Sequence, residues 1–241
     1  MSIGVKNSEN ETIFKQKGIY GRFIKRPMDF VLSLFAIIVL SPVLLLIAIL
    51  VKIKLGSPVI FKQKRPGLNE KIFTIYKFRT MTDKRDENGN LLPDNLRVTH
   101  FGNMLRKTSL DELPELFNIL KGDMSIVGPR PLMVRYLPYY TDEERHRHDI
   151  RPGLTGLAQT SGRSYLGWEE RFKLDNYYIR NSSFVLDCKI IWNTMLQVLS
   201  KQNIANIEEI RGDEKGTYLY HEGKIFRRLD VERSDKLCAK K

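Results

Sequence analysis

Twenty-two consecutive residues without a charge, Phe30–Val51 (FVLSLFAIIVLSPVLLLIAILV), dominate the hydrophobic pattern of the chain. A helix of that length reaches across a bilayer core of about 30 Å. The run begins too deep and is too long for the apolar region of a secretory signal. Ser41-Pro42 sits near its midpoint. Proline lacks a backbone donor and clashes with the preceding turn, so the pattern predicts a kink or a break there. Lys25 and Arg26 precede the run, and Lys52, Lys54, Lys62, Lys64 and Arg65 follow it. A spanning helix would leave one basic cluster outside, against the positive-inside tendency. A helix that enters, breaks at Ser41-Pro42 and returns keeps both clusters on the cytoplasmic face, each half reaching about 16 Å. A Pro-kinked spanning helix is the other arrangement, and the residues alone leave both open.

Beyond this run the pattern is that of a mixed, helix-rich α/β domain (α+β with short strands). Val59–Phe61 and Lys71–Phe78 read as strands, with Gly56-Ser57-Pro58 and Arg65-Pro66-Gly67 as turns. Thr82–Asn95 is a polar loop. A helix is predicted from about Ser109 to Leu120, with Leu113, Leu116, Phe117 and Leu120 on one face. Ser125–Val127 is a short strand running into Gly128-Pro129-Arg130-Pro131. Leu132–His148 predicts one or two amphipathic helices, offering Tyr136, Tyr139 and Tyr140 to a membrane interface. Trp168–Arg180 and Val185–Leu199 predict two more helices. Residues 1–20 are polar and irregular, and the pattern weakens again after Ser200.

Charge sharpens the membrane reading. The 241 residues carry a formal net charge of +12, and residues 1–70 hold eleven Lys/Arg against four Asp/Glu. Basic residues crowded around an apolar segment point to anionic headgroups first and to nucleic acid second. The two cysteines, Cys188 and Cys238, exclude a disulfide framework.

The densest chemistry lies in Ser109-Leu110-Asp111-Glu112-Leu113-Pro114. Ser109 and Glu112 have capping-box spacing, which would put Asp111 and Glu112 at a helix N-terminus. Paired carboxylates there can hold Mg²⁺ together with substrate phosphates, or one can act as a nucleophile. Ordinary capping accounts for the same spacing. Arg130, stiffened by Pro129 and Pro131, suits bidentate grip on a diphosphate, or is simply an exposed arginine in a rigid turn. Arg151-Pro152-Gly153 through Gly162-Arg163 is a glycine-punctuated stretch of the kind that admits phosphate to backbone amides, without Walker or Rossmann spacing. His146 and His148 read as solvated residues, not metal ligands.

Taken in order, these segments resemble the bacterial sugar transferase family, the small monotopic phosphoglycosyl transferases. The resemblance runs through Lys25-Arg26-Pro27-Met28-Asp29, the apolar run with Ser41-Pro42, and Tyr76-Lys77-Phe78-Arg79-Thr80-Met81. It continues through Leu105–Pro114, Gly122–Pro131 and Arg151–Arg163, so that it covers about residues 20–200. It implies a re-entrant membrane helix broken at Ser41 and Pro42. It also implies a UDP-sugar donor, a polyprenyl (undecaprenyl) phosphate acceptor, Mg²⁺, and a phosphosugar intermediate on Asp111. Glu112 would then assist the metal or a proton, and Arg106, Arg130 and Arg163 would neutralise phosphate charge. Lys25 and Arg26 would grip the polyprenyl phosphate, and Asp187 would pair with Lys25 or Arg26 to hold the re-entrant geometry. The expected organisation is an N-terminal extension (1–20), a membrane segment (21–55), a catalytic domain (56–200) and a C-terminal extension (201–241). The expected location is the cytoplasmic face of a bacterial inner membrane, with membrane lipid as partner, no nucleic acid, and the oligomeric state left open. Two rivals remain at this point: a phosphohydrolase of lipid diphosphates using the same carboxylates, and a non-catalytic basic membrane-tethering module.

Overall fold

A π-type turn over Tyr20–Ile24 leads into α1, Lys25–Leu55. The computed structural model describes residues 18–161, 167–200, 218–221 and 224–227. Arg163, Cys238 and most of the two expected extensions lie outside the described residues. The architecture is helix-rich α+β with short strands and one long apolar helix.

The expected break in α1 is not there. Helical assignment continues through Pro42. Pro42 has no N–H to give to the carbonyl four residues back, that of Ile38. The Ser41 hydroxyl donates to that same carbonyl at 2.8 Å, replacing the missing bond. This is how Ser-Pro is accommodated inside the helix.

One face of α1 packs on the domain along its whole length. Ala36, Ile37 and Leu40 pack with Ile75, Leu116, Ile119 and Met124. Past Pro42, Ile47 and Val51 join Phe78 and Leu105. The opposite face is apolar and open: within the most apolar 18-residue window only 11% is buried. By length and composition α1 could cross a membrane, yet both its ends touch the same domain.

Three buried polar contacts fix the first two turns of α1. Asp187, in the helix Phe184–Ser200, accepts hydrogen bonds from Lys25 Nζ (2.5 Å), Tyr20 (2.5 Å) and Tyr178 (2.6 Å). Asp29 accepts from the Ser125 hydroxyl (2.6 Å) and the Ile126 amide (3.1 Å). Arg26 donates to the carbonyls of Ile119 (2.7 Å) and Leu120 (2.9 Å). A cation on the last carbonyls of a helix satisfies orphan acceptors and opposes the helix dipole.

Strands β1 (Ile60–Pro66) and β2 (Ile72–Phe78) form an antiparallel hairpin. The expected turn therefore starts two residues later, at Gly67, since Arg65 and Pro66 still pair with Phe73 and Ile72. Short helices α2 (Asp94–Arg97) and α3 (His100–Lys107) follow. The single helix expected over Ser109–Leu120 is instead a 3₁₀ turn, Leu110–Glu112, and then α4, Glu115–Lys121. Ser109 adopts the left-handed region (φ 56°) and its side chain caps nothing, so the capping box is not formed. Asn118, on α4, glues this helix to the hairpin: it accepts from the Tyr76 amide (3.1 Å) and donates to the Thr74 carbonyl (2.7 Å).

β3 (Ser125–Val127) pairs in parallel with β4 (Gly153–Thr155). Here the glycines admit neighbouring backbone, not phosphate. A Cβ on Gly153 would lie 2.1 Å from the Gly128 nitrogen, and one on Gly156 would lie 2.2 Å from the Gly128 carbonyl oxygen. Between the strands run a 3₁₀ segment, Val134–Tyr139, and α5, Asp142–Arg145, whose capping box joins Thr141 and Glu144. Tyr136 and Tyr140 are buried against Trp168 and Phe172, so neither serves a membrane interface. His148 is buried too, contrary to its solvated reading.

α6 (Leu157–Ser161), α7 (Trp168–Asn181) and α8 (Phe184–Ser200) complete the domain, with a hairpin of β5 (Tyr218–His221) and β6 (Lys224–Arg227). α8 buries Asp187 and Ile190 while exposing Phe184, Val185, Cys188, Trp192, Met195, Leu196 and Leu199. At 100° per residue the exposed set spans about 120° of one face. Tyr20, in the turn before α1, and Phe184 meet edge to face at 6.2 Å, so this face begins beside the entry to α1.

Candidate functional site

Left-handed Ser109 ends α3 and throws the chain into the 3₁₀ turn, so Asp111 and Glu112 project toward β2. Lys77 is the residue that receives them. Its ammonium lies 2.6 Å from Glu112 Oε1 and 3.1 Å from Glu115 Oε1. Arg130, at the end of the β3 strand–turn, meets the same Glu112 Oε1 at 2.5 Å. Asp111 and Glu112 therefore stand differently. Glu112 is held between two cations, while among the described residues none hydrogen-bonds or ion-pairs with the Asp111 carboxylate.

Their electrostatics diverge accordingly. Asp111 is 9% exposed. Burial first, then the charge of Glu112, push its pKa up to about 6, against the pull of Lys77, Arg106 and Arg130. Burial also opposes ionisation of Glu112, but Arg130 and Lys77 outweigh it and hold that carboxyl well below the usual range. Burial pushes Glu115, 1% exposed, upward. Arg106 donates through Nε to Thr80 Oγ1 at 2.9 Å, and its charge is felt at Asp111.

The structure thus brings Asp111, Glu112, Arg106 and Arg130 together. It employs Lys25 and Arg26 elsewhere. Lys25 is 5% exposed and its ammonium is engaged by Asp187, so it is withdrawn from any headgroup. Arg26 is engaged with the end of α4. In the structure both residues anchor α1 through these contacts.

Lys77 and Glu115 are the residues that sequence reasoning missed. Alternation along β2 puts Phe73, Ile75 and Lys77 on one face, and Phe73 and Ile75 pack on the core. A cation on a core-facing position demands a carboxylate partner, and that signal was available.

Arg130 is held from behind. Arg147 donates to its backbone carbonyl at 2.8 Å and pairs with Asp175 at 2.9 Å, both side chains being almost wholly enclosed. Arg147 also lies over Phe172 at 5.2 Å. Asp175→Asn is expected to free Arg147 and misplace Arg130, lowering kcat about 10- to 100-fold with little change in donor KM, because misplacement of a charge-stabilising group acts on the transition state. Steady-state kinetics of the variant check this; an unchanged kcat would refute the linkage.

Among the described residues no three His, Cys, Asp or Glu converge to hold a metal. Among the described residues both ion pairs of Glu112 fall on Oε1 and none reaches Asp111. A Mg²⁺ needs only one or two carboxylates when phosphates supply further ligands, so these two residues fit a cation that arrives with a diphosphate.

The family model described as "Bacterial sugar transferase" matches residues 20–201. The chain belongs to the bacterial sugar transferase family. It is similar to a sugar transferase of uncharacterised activity, EpsL of Bacillus subtilis (strain 168), at 49% identity over 190 residues, 79% of this chain and 94% of the relative. It is also similar to the UDP-glucose:undecaprenyl-phosphate glucose-1-phosphate transferase of Escherichia coli (strain K12), at 40% identity over 188 residues, 73% of this chain but 40% of that protein. The undecaprenyl-phosphate galactose phosphotransferase of Salmonella typhimurium is 37% identical over 197 residues, 75% of this chain and 41% of its own length. This sugar transferase therefore spans nearly all of one relative and about two fifths of the other two.

Proposed function

We propose that this protein is a phosphoglycosyl transferase that moves a sugar 1-phosphate from a UDP-sugar to a polyprenyl phosphate through an Asp111-linked intermediate. The observation that carries the reading is the Asp111 carboxylate, without a partner among the described residues, beside a neighbouring carboxylate clamped by Lys77 and Arg130. The names of the relatives support the substrate classes, undecaprenyl phosphate and a sugar phosphate.

In the first step an Asp111 oxygen attacks the β-phosphorus of the donor. The bond to the bridging oxygen breaks, and its electron pair leaves with UMP. In the second, an oxygen of the polyprenyl phosphate attacks the same phosphorus and Asp111 departs as carboxylate. Charge balances in both steps without a proton transfer when the acceptor phosphate is a dianion. Glu112 is thus needed to hold Lys77 and Arg130 at the phosphate, not as an acid. Arg106 and Arg130 offset the repulsion between carboxylate and phosphate. When bound, Mg²⁺ would be held by Asp111 and Glu112 and would withdraw charge from the diphosphate oxygens.

The outward apolar faces of α1 and α8 support attachment to one leaflet, with α8 lying along the interface. Since α1 packs on the same domain along its whole length, it lies in one leaflet without crossing, and the domain sits on the side of the cytosolic donor. Membrane lipid is the partner of both faces.

Incubating the protein with a panel of UDP-sugars and Mg²⁺, then weighing the intact chain, tests the reading. A phosphosugar adduct localised to Asp111, with stoichiometric UMP, is expected; UMP release with sugar phosphate passing to water would favour the phosphohydrolase instead. The pH profile is a second check. Asp111 must be ionised to attack, so kcat/KM for the donor should be flat above about pH 6 and fall about tenfold per unit below it. A profile unchanged down to pH 5 would show that Asp111 does not titrate near 6 in the free protein.

A further inference from the structure

Glu115 takes no part in the two displacements written above, yet it stands against a side chain that does. It is the first residue of α4 and is 1% exposed. Its Oε1 lies 3.1 Å from the Lys77 ammonium, which donates to Glu112 Oε1 at 2.6 Å. The two approaches differ in kind. Among the described residues no donor is aligned to hydrogen-bond Glu115 Oε1, so Lys77 meets Glu112 as a hydrogen-bond donor and Glu115 as a charge alone. An enclosed carboxylate oxygen without a hydrogen bond is costly in a folded chain. The remedy is close by. An ammonium carries three N–H donors, and among the described residues one hydrogen bond engages those of Lys77. A small swing of its flexible head brings a second donor onto Glu115 Oε1, with no movement of β2 or α4.

Glu112 is the more contested of the two acids. A single oxygen, Oε1, holds both Lys77 and Arg130. The phosphate oxygens of a bound donor compete with it for both cations. The side chain of Glu112 is 18% exposed and that of Glu115 is 1% exposed, so an incoming anion reaches the surroundings of the first and not of the second.

We propose that Glu115 is a positioning residue, the second seat of Lys77: as the phosphates of the nucleoside diphosphate donor draw the ammonium off Glu112, Glu115 takes up a hydrogen bond from its enclosed side and keeps it at the reacting phosphorus. The assignment rests on the transferase reading and deepens it. No bond of the substrate forms or breaks at Glu115, and no proton leaves it. Its effect is to spare Lys77 a search for its place while charge builds on the leaving phosphate oxygen.

The test is single-turnover release of UMP by the full-length protein in detergent, with the UDP-sugar of the panel above that releases UMP fastest. Working at pH 8 keeps Glu115 ionised although burial pushes its carboxyl upward. The proteins are the parent, Glu115→Gln, Glu115→Asp, Lys77→Met and the double variant Lys77→Met with Glu115→Gln. Glu115→Gln keeps the shape and loses the charge, so the saturating rate should fall about 10- to 100-fold while the half-saturating donor concentration changes less than threefold. Glu115→Asp, which retains the charge one methylene back, should recover part of the rate. The double variant should be no slower than Lys77→Met, because Glu115 acts through Lys77. Equal slowing by Glu115→Gln with and without Lys77 would make Glu115 a structural carboxylate and overturn the proposal, as would a rate in Glu115→Gln within twofold of the parent's. Failure of the transferase reading looks different: the coupling between Glu115 and Lys77 persists in UMP release, yet no adduct forms on Asp111 and the sugar phosphate passes to water. A parent that releases UMP from no UDP-sugar would overturn both.

Discussion

Asp111→Asn is expected to lose about four or more orders of magnitude in transfer while folding at least as stably as the parent. The first effect follows from removing the only atom that can form the phosphosugar ester; loss of a nucleophile in other covalent enzymes is of this order. The second follows from linkage. The folded-state pKa of Asp111 is about 6 against an ordinary 3.8, so the folded protein binds this proton more tightly than the unfolded chain does. Its contribution is favourable below about pH 4 and is lost as pH rises through 6. At pH 7.5 the ionised side chain destabilises the fold by up to about 3 kcal/mol, at 1.36 kcal/mol per unit. The uncharged amide removes that penalty. Thermal denaturation of parent and variant should give a higher Tm for the variant at pH 7.5 and a difference that shrinks toward pH 4. Retained transfer would end the covalent mechanism, and a lower Tm at pH 7.5 would show that Asp111 is a structural carboxylate.

Asp187→Ala should be the most destabilising single change near the membrane helix. It strips one acceptor from three donors at once, the Tyr20 and Tyr178 hydroxyls and the Lys25 ammonium. Breaking a buried pair by removing one partner costs about 3–5 kcal/mol, because the remaining charge stays enclosed. Set against a total stability of about 5–15 kcal/mol, that is a large share. Removing both charges, as in Lys25→Met with Asp187→Leu, should cost less than Asp187→Ala alone. Thermal melts of the three proteins in one detergent, with limited proteolysis at the α1 junction, read this out. A Tm for Asp187→Ala equal to the parent's would remove the pair from the account of how α1 is held.

Much of this was legible along the chain because it rests on local pattern. The 22-residue apolar run, the alternation in β2 and the helical period of α7 and α8 each need only near neighbours to be read. What stayed hidden depends on residues far apart. Ser109 and Glu112 carry a capping-box spacing, yet the serine adopts φ 56° and the box never closes, while the one that forms joins Thr141 and Glu144. Ser41-Pro42 read as a break because the rule for proline counts the missing donor, and the hydroxyl next door supplies it. The anchoring of Lys25 and Arg26 could not be read locally, since their partners lie 162 and 93 residues away. The outward face of α8 was hidden for a similar reason. Periodicity marks an apolar face, but only tertiary packing tells which side of the helix turns inward.

The grip of Arg26 on the end of α4 has a consequence for how a lipid reaches the reaction. α4 is about 10 Å long, and the 3₁₀ turn with Asp111 sits at its opposite end. A rigid strut of that size between bilayer helix and nucleophile sets the height at which phosphorus changes hands. On the proposed mechanism, a substrate with a long isoprenoid tail would have no need to be lifted out of the leaflet: it would slide sideways among its neighbours until its head met the ester on Asp111.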